Sequence, residues 1–203
     1  MPFENVNTGL FQMINAPAHP DAWIVLAARI LAEWVVYAAV LWMVVAWIRN
    51  TRQVRYVLLD GLLTVLAALA TGQVIAMLWY HARPFELHMG HQLLPHATVT
   101  SFPSDHGLFM FALAFAWLVN RITRSWGWLF LLAGFAVAWS RVYLGIHFPF
   151  DMIGAFVISL IWAVLIRLIS PLLRSTIYPL ALKLYEAIIA TLRLPQAIFP
   201  RSS

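Results

Sequence analysis

Three short runs of this chain hold the residue types that a phosphoryl-transfer site needs. The first is His81, Ala82, Arg83, Pro84, Phe85, and the second is Ser101, Phe102, Pro103, Ser104, Asp105, His106. The third is the stretch 140–151, which carries Ser140, Arg141, His147 and Asp151. Moving a phosphoryl group takes cationic donors around its equatorial oxygens, a nucleophile in line with the leaving oxygen, and an acid for the departing group. Arg83 and Arg141 offer planar, permanently charged forks that suit phosphate oxygens. Ser104 precedes an apolar run, so it can cap a helix whose N-terminal N–H groups face an anion, which makes the Pro103, Ser104, Asp105, His106 turn part of a phosphate cradle. His147 and Asp151 stand four residues apart across Pro149, a proline suited to the first helical position. In that register the carboxylate can hold one imidazole nitrogen and stabilise positive charge while the other nitrogen attacks phosphorus. His106 is then free to act as acid on the leaving oxygen and as base on water.

The remaining ionisable residues divide by setting. Asp105 joins the phosphate-binding set as an orienting group, because a carboxylate beside phosphate repels it but suits the first turn of a helix. Arg29 and Glu33, one helical turn apart in an apolar run, form a self-neutralising pair or leave Arg29 to hold a distal phosphate. Asp60 is expected to reach the interface or pair with Arg55. His88, His91 and His96 have loop spacing with no regular helical face, and Glu86, Asp105 and Asp151 do not form a metal triad, so no metal is expected. With no cysteine in the chain, disulfides and thiolate metal sites are excluded.

These parts must be held by helices in a bilayer. Of 203 residues, 63% are hydrophobic and 10% charged. The mean hydropathy of +0.81 is far above that of a water-soluble domain. Apolar stretches approaching or exceeding the ~20 residues that cross ~30 Å of hydrocarbon run over 22–48, 57–80, 126–144 and 149–169, with a shorter one over 106–119. The reading is an all-α integral membrane bundle of about five transmembrane spans with interfacial helices at both termini, over 3–16 and 175–194. It is one domain, 1–203, with an interfacial segment 1–21, a bundle 22–170 and a cytoplasmic interfacial tail 171–203. No secretory leader is read from residues 1–20.

Charge placement predicts orientation, since Lys and Arg of short loops stay cytoplasmic. Arg49, Arg52 and Arg55, then Arg121 and Arg124, then Arg174, Lys183, Arg193 and Arg201 fall on one side of five spans. The other side receives Arg83, Arg141 and all seven histidines. The formal charge of +5 belongs to residues flanking apolar spans, which points to membrane lipids and not to nucleic acid. Most of the ten tryptophans fit interfacial belts and lipid-facing positions.

The ordered set resembles the three signature motifs of the type-2 phosphatidic acid phosphatase superfamily. Pro-Ser-x-His matches at Pro103, Ser104 and His106. Ser-Arg-x5-His-x3-Asp matches at Ser140, Arg141, His147 and Asp151, and the Arg-Pro of the first motif matches at Arg83 and Pro84. The resemblance covers about residues 76–155 by motif and the rest by span arrangement. One position departs: the family's first motif begins with a lysine seven residues before the arginine, where this chain has Ala76, and its one lysine is Lys183. His81 or a water would have to compensate. The runs of motif residues look most like bacterial undecaprenyl-diphosphatases of the bacitracin-resistance type. That resemblance implies a covalent phosphohistidine at His147, no metal or other cofactor, and a polyprenyl diphosphate carrier of peptidoglycan synthesis as substrate. It also implies an active site on the outer face of the bacterial inner membrane. The alternatives are a phosphatidate or phosphatidylglycerophosphate phosphatase or a lipid A phosphotransferase. Outside enzymes, they are a transporter, though no broken spans or repeats are read, or a haem protein, though the histidines cluster at loops and helix starts.

Overall fold

An apolar chain in hydrocarbon must satisfy its backbone N–H and C=O groups internally, and here it does so in helices. The computed structural model describes residues 2–193 together with 195 and 199, and among these there is no strand. The elements are α1 (Pro2–Ile14), α2 (Ala22–Arg49), α3 (Arg52–Leu78), a one-turn 3-10 helix (Pro84–Leu87), α4 (Asp105–Leu118), α5 (Arg124–Tyr143), α6 (Pro149–Ser175) and α7 (Tyr178–Thr191). Helices α2, α3 and α6 are each long and apolar enough to cross a membrane. With α4 and α5 they make the five-helix bundle read from the sequence, flanked by α1 and α7. Arg201 and the expected end of the tail helix at Leu194 lie outside the described residues.

The bundle is built around α4. Every residue from Gly107 to Trp117 except Phe109 is buried, as a helix apolar on all sides requires. Helices α3, α5 and α6 wall it in. Its 14 residues span about 21 Å, short of the ~30 Å of hydrocarbon. A short axis among longer walls leaves a recess at its N-terminal end, and the segment 79–104 folds over that recess. Helix α2 lies against α5 through a stripe of small residues, Ala28, Ala32, Ala39 and Ala46, which lets the backbones approach. Within that seam Trp42 packs on Trp117, Trp126 and Phe130. Hydrogen bonds from Ser159 Oγ to the Leu108 carbonyl (3.0 Å) and from Trp162 Nε1 to Thr71 Oγ1 (2.8 Å) tie α6 to α4 and α3.

Several expectations change. The last span does not stop at 169, because α6 continues through Pro171 to Ser175. Proline removes one donor, whereas ending the helix at the hydrocarbon edge would strand several backbone groups. Helix α3 starts at Arg52 and not near 57, since Arg55 is buried with its Nε on the Trp47 carbonyl (2.9 Å) and its guanidinium over the Tyr185 ring. Asp60 does not pair with Arg55. Its carboxylate accepts from Arg174 Nη2 (2.6 Å), Ser170 Oγ (2.8 Å) and Tyr178 Oη (2.7 Å), tying α3, α6 and α7 at the end away from the recess. Arg29 and Glu33 do not neutralise each other either. Arg29 clamps the Leu93 carbonyl with Nε and Nη2 (3.2 and 2.7 Å), an acceptor in a loop that no helix satisfies.

Candidate active site

The recess above α4 is a chamber of about 380 Å³ lined by Arg83, His96, Asp105, His106, Arg141 and His147, with Gln73 and Ala76 of α3 on one wall. A second chamber of about 560 Å³ shares His96, His106 and Arg141 and extends to Glu33, Trp34 and Tyr37 of α2. A third hollow, of about 590 Å³, is lined by apolar side chains including Phe111, Phe135 and Met152.

His147 stands on the short connection between α5 and α6, and glycine chemistry shapes that connection. Gly145 has φ +76, and a Cβ there would lie 2.3 Å from the His91 carbonyl oxygen. Only glycine adopts this turn without strain or collision. Pro149 then starts α6, as its fixed φ and missing donor favour. Asp151, at the third helical position, accepts the Phe148 backbone N–H with Oδ2 at 2.8 Å and so caps the helix. The same Oδ2 accepts from Ser101 Oγ and lies 3.1 Å from His147 Nδ1.

On the other side of the ring, Arg83 Nη1 lies 3.1 Å from His147 Nε2. A guanidinium can only donate, so the network assigns the lone pair to Nε2 and the proton to Nδ1, which faces Asp151. Burial pushes the His147 imidazolium down from 6.5 to about 3, against the opposing pull of Asp151, so the ring is neutral near pH 7. Arg83 is itself fixed by the carbonyls of Val99 (2.8 Å), Ile146 (2.7 Å) and Thr100 (3.1 Å). Burial lowers its pKa from the ordinary arginine value, with the charges of Asp151 and Glu86 opposing. Arg141, 3% exposed, donates to the Ala32 carbonyl (3.2 Å) and lies 3.3 Å from His96 Nε2, while its Nε has no partner among the described residues. A buried donor without a partner on the wall of a polar chamber is suited to an anion.

The structure thus brings Arg83, Asp105, His106, Arg141 and His147 onto one chamber, with Asp151 directly behind His147. His106 makes no side-chain hydrogen bond to a described residue. Ser104 is wholly buried and caps α4, its Oγ accepting from the Gly107 N–H (3.4 Å), and it is not on the chamber wall. Asp105 lies 3.5 Å from Gln73 Nε2 through Oδ1. His81 is turned behind the chamber toward Asp151 and Glu4. Arg29 holds the loop before His96, and Glu33 lines the second chamber. Ala76 does line the main chamber. Two side chains named in the sequence were given no role in the site. Ser101 is buried between His147 and Asp151, a pairing across 50 residues that leaves no local pattern. His96 stands where the two chambers meet, 6.2 Å between ring centroids from His147. Burial lowers its pKa below 6.5 as well, helped by Arg83 and Arg141. Among the described residues, no cluster of three His, Asp or Glu side chains could hold a metal ion.

A helical membrane bundle that holds a histidine, its carboxylate and two arginines at one end has the parts of a phosphoryl-transfer protein. The chain belongs to the PAP2 superfamily, whose family model matches residues 57–174. It is 32% identical over 185 residues to the undecaprenyl-diphosphatase BcrC of Bacillus subtilis (strain 168), covering 91% of this chain and 94% of that protein. It is 35% identical over 159 residues to YbjG of Escherichia coli (strain K12), covering 78% and 79%. Among solved structures, Aquifex aeolicus LpxE superposes with a TM-score of 0.64 at 21% identity, covering 79% of this chain and 94% of that one, a likeness of fold.

Proposed function

We propose that the protein hydrolyses undecaprenyl diphosphate to undecaprenyl phosphate and inorganic phosphate through a phosphohistidine at His147. The observation that carries the reading is the pair of contacts on one imidazole, Asp151 at Nδ1 and Arg83 at Nε2, beside a chamber that also holds Arg141 and His106. The similarity to BcrC supplies the lipid.

In the proposed cycle Arg83 and Arg141 bind the terminal phosphate, which takes over the guanidinium N–H that otherwise rests on Nε2. The Nε2 lone pair attacks phosphorus, an N–P bond forms, and the bridging P–O bond breaks. His106, which takes up a proton as the anionic diphosphate binds beside it, gives that proton to the departing lipid monophosphate. The positive charge on the His147 ring is balanced by Asp151. Water then loses a proton to His106 and its oxygen attacks the same phosphorus, which breaks the N–P bond and releases phosphate. Both chambers meet at His106, so the leaving lipid phosphate has room on the Glu33, Trp34, Tyr37 side. The arginine-bearing connections and α7 lie at the opposite end of the bundle. By the positive-inside rule this supports a site on the outer face of the cytoplasmic membrane and a cytoplasmic C-terminal segment.

The test is phosphate release by the purified protein from undecaprenyl diphosphate and from phosphatidate, with and without EDTA. Release from the diphosphate that persists in EDTA and vanishes in His147→Ala is the expected result. Full activity of that variant would sink the nucleophile, and a preference for phosphatidate would sink the substrate.

A further inference from the structure

Behind the nucleophile, Asp151 is only half accounted for. Its Oδ2 is crowded by Ser101, the Phe148 N–H and His147, while Oδ1 is buried with no hydrogen-bond partner. His81 Nδ1 is also buried without a partner, and the two atoms face each other at 3.7 Å. The far nitrogen of the same ring, Nε2, lies 3.7 Å from Glu4 Oε1 on α1. The ring is steadied by Trp79 and Phe148, at centroid distances of 5.2 and 5.7 Å, and the His81 backbone N–H donates to Thr100 Oγ1 at 3.0 Å. Two buried polar atoms aimed at one another across slightly more than a hydrogen bond need only a small rotation to satisfy both.

We propose that His81 is a positioning residue, which donates from Nδ1 to Asp151 Oδ1 and so fixes the carboxylate that orients His147. The inference rests on the reading of His147 and Asp151 given above. It differs from the sequence expectation, in which His81 supplied charge to the phosphate, because the ring stands on the far side of Asp151 from the chamber. Helix α1 becomes part of the same arrangement. Its Glu4 faces His81, its Asn7 Oδ1 accepts the Phe150 N–H at the start of α6 (3.0 Å), and Phe11 packs edge-on against Phe148. A positioning role predicts a loss in turnover with little change in substrate affinity, since the phosphate ligands are untouched.

The two ring nitrogens can be separated by amide replacements. Asparagine places a donor where Nδ1 stands, facing Asp151, whereas glutamine places one where Nε2 stands, facing Glu4. With undecaprenyl diphosphate as substrate, His81→Ala and His81→Gln should lower kcat about 10- to 100-fold, the range of a lost hydrogen bond to a charged group, with KM within about twofold. His81→Asn should keep kcat within about threefold of the parent, by the same measure. Thermal midpoints of the three variants identify any that fail to fold, and the Asn against Gln comparison stands without the Ala variant. A rise in KM with kcat unchanged, parental kcat in His81→Gln, or equal losses in the Asn and Gln variants would each overturn the proposal. His147→Ala, run alongside, separates the two readings: if it is inactive while His81→Gln is unimpaired, only the role of His81 fails.

Discussion

His147 sits between a guanidinium and a carboxylate, which set its tautomer, while its burial sets its protonation. If Asp151 fixes the tautomer as proposed, Asp151→Asn should leave the fold intact and cut kcat by about 10³- to 10⁴-fold, the scale seen when a histidine loses its orienting aspartate. Steady-state hydrolysis of undecaprenyl diphosphate measures this. Burial holds the His147 imidazolium at about 3 instead of 6.5, and it lowers His96 too. Between those values the unfolded chain binds more protons than the folded one, so the stability tied to a neutral His147 is complete above about 6.5 and is lost as pH falls toward about 3, and the lowered His96 adds to the loss in the same direction. Thermal midpoints of the detergent-solubilised protein should therefore drop from about pH 6.5 to about pH 4, and His147→Asn should make that drop shallower. The cradle itself has a legible gap. Ala76 lines the chamber wall one turn from Gln73, so Ala76→Lys adds a cation within reach of a bound phosphate and should lower KM several-fold. An unchanged or higher KM would show that the added charge is spent on Asp105.

At the scale of elements, turns and helix ends do the positioning. Pro149 and Asp151 begin α6, Ser104 caps α4, and Gly145 supplies the left-handed residue that turns His147 inward. Gly145→Ala should cost about 1–3 kcal/mol through backbone strain, with further loss from the collision with the His91 carbonyl. A lowered thermal midpoint together with reduced kcat is the expected signature. The Ser104 cap and the Pro149 start of α6 were visible in the sequence because they are local: a serine after proline before an apolar run, and a proline at a first helical position. The Asp60 cluster was not, since Arg174, Ser170 and Tyr178 reach it from more than 100 residues away. Asp60→Ala removes the acceptor of three donors and should destabilise by about 2–4 kcal/mol, while kcat of the folded fraction holds because the cluster lies at the other end of the bundle.

At the scale of the whole molecule, the proposed orientation can be read with cysteines, because the chain has none of its own. In intact cells a membrane-impermeant maleimide should label Gln92→Cys, exposed on the segment that folds over the recess, and should spare Asn120→Cys, in the α4–α5 connection. The reverse pattern would place the site inward. Hydropathy and motif order determined the class of protein, the helices and most of the chamber, since both depend on residues close in sequence or on composition. Only the tertiary structure decided that Arg29 holds a loop carbonyl instead of Glu33, and that Ser101 joins His147 to Asp151. The turn of His81 behind the chamber, toward Asp151, was likewise invisible until the helices were packed. Those contacts join residues 46 to 70 positions apart, and a buried polar group takes whichever partner the packing brings within reach.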